Sequence, residues 1–387
     1  MFGFLKNKAC PIALDIGSGS IRMLQLRSVG RLLTTLAGAR WKFPPHADSL
    51  EPIKRRELVV EAIGDMLRSQ PFKGRRVIST LSAAHLQVKN VRLAHMNDKE
   101  LRGAVEWEAK ERFSFDIRPD ALSFINAGQV RQGSETRDEI IMIAAPPQAI
   151  DEHLDTLSEA GLRPEHVEAE PIAMFRSFER FLRRQADEQS ISVVIDIGVS
   201  GTRVVVARGR QIVFIKFIDI GGRQFTDAVA RQLNLSFEEA CEIRTRIINE
   251  YLGRRREQSG PTENVDANPV NWTVHDSLRA QVEALSREIA LCLRYCSVTF
   301  RGLRCEKAIL TGGEAYDPAV VHLLSDNLGI ECVPGQPLRG IDTSGVDLGG
   351  DRRGMLAEWA ICTGMAVRGL DLEASIPIGQ DAEKISA

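Results

Sequence analysis

Apolar and β-branched residues run together in short blocks near the start of the chain and again at its middle, each block broken by small residues. Ile12–Arg22 reads IALDIGSGSIR and Ile191–Arg203 reads ISVVIDIGVSGTR. Each is a strand-like run ending in Asp-Ile-Gly, then a turn of Gly, Ser and Thr, then a second strand-like run. Met23–Leu26 continues the first copy; Val204–Val206 and Ile212–Ile218 continue the second. This pattern predicts a β-hairpin in both places. Leu32–Phe43 predicts a third strand, ended by Pro44-Pro45, and helical spacing follows at Glu57–Arg68. Val77–Leu81, Leu86–Leu93, Ala121–Asn126 and Glu139–Ala144 read as strands. Asn97-Asp98 reads as the cap of a helix to about Arg112, and a helix at Gln148–Ala160 stops at Gly161. Further helices are predicted at Thr226–Leu233, Phe237–Tyr251, Ser277–Phe300 and Met355–Arg368, with a strand at Lys307–Leu310. Gly253–Thr273, with its Arg254–Arg256 cluster, is expected to be a loop, and the stretch from Asp371 onward a disordered tail.

A repeated hairpin with an acid just before each turn suggests two similar lobes facing one another across a polyphosphate. Gly17, Gly19, Gly198 and Gly201 lack Cβ, so their backbone can approach a ligand closely and take positive φ. Successive N–H groups in such a turn converge on an anion. The hydroxyls of Ser18, Ser20, Ser200 and Thr202 add donors, and Asp15 and Asp196 are placed to hold Mg²⁺ directly or through its waters. A pair of ordinary hairpins with solvated aspartates is the competing reading. Because strands rather than helices follow the glycines, neither a P-loop nor a dinucleotide-binding turn is present in context.

Composition narrows the classes. The 387 residues suffice for two cored lobes, and 43% hydrophobic with 26% charged residues is ordinary for a globular chain. A formal net charge of -2 offers no general attraction to nucleic acid or acidic membranes. No apolar run approaches the roughly 20 residues that span a bilayer, and Met1–Lys8 is too short for a signal peptide. Seven scattered cysteines suggest reduced thiols; Cys292 and Cys296 share a helix face, but without a His or CxxC partner they read as core.

Three further segments carry chemistry. Thr311-Gly312-Gly313-Glu314 follows a strand and sets two Cβ-less residues where a base or α-phosphate could lie on backbone. Glu170 precedes Pro171 at a helix start, where a carboxylate could orient a water towards a terminal phosphate or merely suit the helix dipole. Arg244 could stack on adenine or stand at the surface.

The order of these segments (DIG hairpin, inserted unit, Glu-Pro helix, second DIG hairpin, Gly221-Gly222 with a following Phe-Thr, and TGG) resembles the actin/Hsp70/sugar-kinase superfamily of ATP-binding folds. Within it, IALDIGSGSIRMLQL, ELRGAVEWEAKERFSFDI, EAEPIAMFRS, VVIDIGVSGTRVVV, FIDIGGRQFTDAVARQLNLSFEEACEIR and AILTGGEAYD look like the PilM family of type IV pilus assembly proteins, relatives of the cell-division protein FtsA. The resemblance implies an α/β, duplicated ribonuclease-H-like (actin-like ATPase) two-lobed fold with an inserted α+β (FtsA-type) subdomain. The first lobe is placed at 1–38 and 165–190, the insertion at 39–164, the second lobe at 191–370 with a helical part at 223–306, and a tail at 371–387. It implies ATP and Mg²⁺ as cofactors. Asp15–Ser20 with Arg22, and Asp196 with Gly198, Val199, Ser200, Gly201 and Thr202, would hold the phosphates, Asp15 and Asp196 facing the metal. Gly221, Gly222, Arg244, Gly312, Gly313 and Glu314 would serve the nucleoside, and Glu170 would orient the water.

The implied protein is cytoplasmic, peripheral to the inner membrane, and binds the N-terminal cytoplasmic tail of a single-span inner-membrane pilus protein (PilN-like). A pilus motor ATPase and further copies of the chain are additional implied partners; nucleic acid and direct membrane insertion are not. This sequence departs from the pattern at Arg22, usually lysine, and at Cys241 and Arg244, where a carboxylate and a lysine are usual. These departures point to weaker nucleotide binding and slow hydrolysis, if any. An FtsA-like filament former, a sugar-type kinase and a scaffold that no longer binds nucleotide stand as alternatives. The kinase lacks an evident aspartate base, and the tail DLEASIPIGQDAEKISA lacks the basic face of a membrane tether.

Overall fold

The computed structural model describes residues 9–29, 32–44, 47, 50–257, 269–300, 305–348 and 356–375. One wiring occurs twice. In the first lobe β1 (Ile12–Ile16), β2 (Ser20–Val29) and β3 (Leu32–Lys42) form an antiparallel meander, and β1 pairs in parallel with β4 (Arg76–Leu81), which pairs in parallel with β8 (Arg163–Ala169). In the second, β9 (Ile191–Ile197), β10 (Thr202–Arg208) and β11 (Gln211–Ile218) form the meander, and β9 pairs in parallel with β12 (Lys307–Thr311), then β13 (Glu331–Pro334). The sequence repeat is therefore a structural repeat.

The central strands are apolar on both faces because both faces are covered. Ile12 and Leu14 of β1 join one core with Val59, Ile63 and Met66 of α1 (Pro52–Ser69) and Leu157 of α3 (Pro147–Glu159). Ala13 faces the other way, into a larger core with Met174 and Phe175 of α4 (Glu170–Glu179) and Met365 of α9 (Ala360–Ser375). Gly364 of α9 lies so close to the Ala173 carbonyl that no side chain would fit between α4 and α9.

Between β4 and α3 stands the inserted unit. Its antiparallel sheet runs β5 (Gln87–Ala94), β7 (Glu135–Ala144), β6 (Leu122–Gln132), and α2 (Asp98–Arg112) covers one face through Leu101, Val105 and Ala109. The expected insertion at 39–164 is too wide. The end of β3, all of α1, β4 and α3, and the start of β8 are bonded or packed into the first lobe. The insertion's own sheet and helix span 87–144.

α5 (Gly222–Leu233), α6 (Phe237–Glu257) and α7 (Pro269–Thr299) form the helical part of the second lobe. α6 and α7 both extend into the expected 253–273 loop, of which 258–268 lie outside the described residues, as do 1–8 and 376–387. α9 reaches Ser375, so the first five residues of the expected tail are helical. β8, α8 (Pro318–Leu328), β13 and β14 (Ile341–Asp342) were not expected. β14 pairs in parallel with β3, so the second half of the chain adds an edge strand to the first lobe's sheet. No helix among the described residues is long and apolar enough to cross a membrane.

Candidate functional site: the cleft between the hairpins

The turns of the two hairpins meet. Ser200 Oγ donates to Ser18 Oγ at 3.1 Å, and a Cβ on Gly19 would come within 2.5 Å of Val199 Cγ2. The glycines are needed here for closeness, not for unusual torsions. Against the expectation, Gly17, Gly19, Gly198 and Gly201 do not have positive φ; Gly312, at φ 85°, does. Gly201 leaves no room because a Cβ there would lie 2.9 Å from Ile218 O.

Many of the expected phosphate donors are engaged inside the protein. Gly17 N donates to Ser20 O at 3.1 Å and Gly198 N to Gly201 O at 3.0 Å. Gly222 N donates to Gly198 O, Arg223 N to Val199 O, and Gly221 N to Gln224 Oε1. Thr202 Oγ1 donates to Ile220 O at 2.6 Å.

The acids are also partnered. In the first hairpin Asp15 stands directly opposite Arg22, and Arg22 Nη1 is 3.0 Å from Asp15 Oδ2. In the second, Asp196 stands opposite Arg203, whose Nη1 is 2.7 Å from Asp196 Oδ2. Thr311 Oγ1 donates to the other oxygen, Asp196 Oδ1, at 2.9 Å. Arg203 also pairs through Nε with Glu170 Oε2, which accepts from Ala83 N as well at 3.2 Å. Arg203 thus joins Asp196 of the second lobe to Glu170 of the first, and all three are buried. Burial pushes the Glu170 carboxyl up to about 7 despite Arg203 beside it, and burial likewise raises Asp15.

At the nucleoside end Arg244 is buried rather than exposed as a platform. It pairs with Glu314, and its Nη2 is 2.7 Å from Asp317 Oδ2. Nη1 donates to Thr226 Oγ1 at 3.0 Å and Gly222 O at 3.3 Å, and the guanidinium lies over Phe225. Glu314 packs directly on Gly222. Gly313 begins the short turn Gly313–Tyr316 beside this cluster.

A magnesium nucleotide fits these residues poorly. The feature that favours a cation is a pair of buried oxygens without a hydrogen-bond partner, Asp15 Oδ1 and Glu170 Oε1. Against it, Asp196 has both oxygens engaged, Glu170 and Asp15 are each paired with arginine, and Arg244 with Glu314 fills the position assigned to the nucleoside. In this structure the residues expected to serve as metal ligands (Asp15 and Asp196) and as water-orienting acid (Glu170) are paired with buried arginines, and Arg244, expected as a stacking platform, is enclosed by Glu314 and Asp317. No cluster of three metal-ligating side chains is found among the described residues. Cys292 and Cys296 are core residues, their thiols pushed by burial up to about 11 and about 12.

Read singly, the motifs assign no role to Arg203 or Asp317, nor to the hydroxyl of Thr311. Superposing the two copies of the repeat exposes Arg203, since DIGSGSIR and DIGVSGTR both place an arginine seven residues after the aspartate.

A groove lies elsewhere. A cavity of about 780 Å³ sits between Phe124 and Ile125 of β6, Ile172 and Phe175 of α4, and Arg208 and Ile212 at the turn of β10 and β11. A second, of about 660 Å³, shares its walls Arg176, Glu179, Glu188 and Arg210 and continues towards Arg180, Arg183 and Arg184. β6 is one of the two edge strands of the inserted sheet.

Two lobes on one repeated sheet, their hairpin turns in contact at the cleft, define an actin-like two-lobed fold. The sequence matches the family described as type IV pilus assembly protein PilM over residues 13–370, and the chain belongs to that family. Its structure is similar to that of a PilM-PilN type IV pilus biogenesis complex, at 23% identity over 93% of this chain and 98% of that one, with a TM-score of 0.73. It is also similar to the ethanolamine utilization protein EutJ from Carboxydothermus hydrogenoformans, at 13% identity over 95% and 92%, with a TM-score of 0.51.

Proposed function

We propose that the chain is a type IV pilus assembly adaptor that docks the N-terminal cytoplasmic tail of a single-span inner-membrane partner of the PilN kind. Membership of the PilM family supports the assembly role, and the similar PilM-PilN structure supports a partner of that kind. The observation that carries the docking reading is the groove along β6. Its apolar wall of Phe124, Ile125, Ile172 and Ile212 suits alternate side chains of an extended segment, and the outer edge of β6 suits its backbone. The groove touches the insertion, the first lobe and the second lobe at once, so a bound tail would hold all three together. Through such a partner the chain would sit at the inner membrane without entering it.

The test is fluorescence anisotropy with labelled peptides from such tails. Ile125→Asp should weaken binding about tenfold or more by setting a charge on the apolar wall. Unchanged affinity in that variant would remove the groove as the docking site.

A further inference from the structure

We infer that Arg203 does in this chain what a divalent cation would otherwise do, so that built-in ion pairs close the cleft and closure requires no magnesium nucleotide. Arg203 is buried on the second lobe and reaches both Asp196, at 2.7 Å on its own lobe, and Glu170 on the first. Two acids converging from opposite lobes on one positive centre is the geometry a bridging metal would make. Here the centre is a guanidinium whose planar fork serves two carboxylates at once. Asp15, close enough to raise the charge stakes, is held by Arg22. The contact of Ser18 with Ser200 closes the same seam, and within the second lobe Arg244 is paired with Glu314 and Asp317 at the position expected for the nucleoside.

Entry of a triphosphate with its metal would require displacing Arg203 from two buried carboxylates, leaving a buried charge unpaired, which is strongly unfavourable. A serine at position 203 would free Asp196 and Glu170 and leave an acid cluster open to Mg²⁺.

Thermal melting and calorimetry of the full chain with ATP, with and without MgCl₂, test this. The wild type should show no Mg²⁺-dependent shift, whereas Arg203→Ser should gain one. Without any ligand, Asp196→Asn should lower the melting temperature by roughly 5 °C or more, because it removes one of the two carboxylates that the buried Arg203 serves. Two results would overturn the inference. One is wild-type melting that rises with ATP and Mg²⁺ together but not with ATP alone. The other is an unliganded Asp196→Asn that melts higher than wild type, the behaviour of crowded acids awaiting a metal. The second measurement decides the matter even if Arg203→Ser fails to fold.

Discussion

Asp196 and Arg203 face each other in register across the second hairpin, with Nη1 2.7 Å from Oδ2. The first hairpin repeats the arrangement with Asp15 and Arg22. A strand pair brings directly opposite residues within reach, so each aspartate has its counter-ion fixed by register alone. The two pairs differ in their surroundings. Arg22 pairs with Asp15, while Arg203 lies at the junction of the lobes and takes a second carboxylate, Glu170.

Arg244→Ala should destabilise the second lobe by about 3–5 kcal/mol, since Glu314 and Asp317 would stay largely buried without their cation. Arg244→Lys should recover only part of this, because an ammonium cannot serve two carboxylates and the Thr226 hydroxyl with the same fork. Urea unfolding of the three proteins checks the ranking.

Gly364→Ala should destabilise the chain by at least about 2 kcal/mol, because its methyl meets the Ala173 carbonyl where α4 crosses α9. The same change at Gly253, where a Cβ meets nothing within 4 Å, should be neutral or mildly stabilising. Paired melting curves give the comparison.

Tyr295 of α7 donates its hydroxyl to Glu139 Oε1 at 2.7 Å, joining the second lobe to the insertion, where Asn90 and Arg92 hold the same carboxylate. Tyr295→Phe should cost about 1–3 kcal/mol at this joint. Hydrogen exchange should speed up across 87–144 more than in β9 or β12.

His153 shares a 2.8 Å hydrogen bond with Ser79, and burial, with His85 nearby, pushes its imidazole down to about 4. An unfolded histidine takes up a proton near 6.5. In the window from about 6.5 down to about 4 the unfolded chain therefore binds the extra proton, and stability present above it is lost as pH falls. His153→Gln should remove that part of the acid slope, roughly 2–3 kcal/mol at most. Urea midpoints between pH 4 and 7.5 would show it, and a slope unchanged by the substitution would count against a buried neutral His153.

Much of the architecture could be read in advance because the hairpins advertise themselves. IALDI and ISVVIDI are too uniformly apolar to be anything but covered strands, and the small-residue turns mark their ends. β8 escaped notice because RPEHVEA is polar and opens next to a proline, yet β4 recruits it as an edge strand. β13 (ECVP) and β14 (ID) are so short that pairing partners, not propensity, make them strands. The two turns named from the sequence lie together, Gly19 meeting Val199 across the cleft. The partners of its acids are not legible in single motifs, because Asp15, Glu170 and Asp196 acquire their arginines only in three dimensions.

The strand Ile341–Asp342 has a practical consequence. Because it borders β3, and α9 then packs beneath β1 and β2, the final third of the polypeptide completes the sheet begun by the first forty residues. Cutting the gene between the hairpins would yield two incomplete pieces, each exposing an unfinished seam. Fragments expressed separately should be insoluble, and co-expressed ones should find each other.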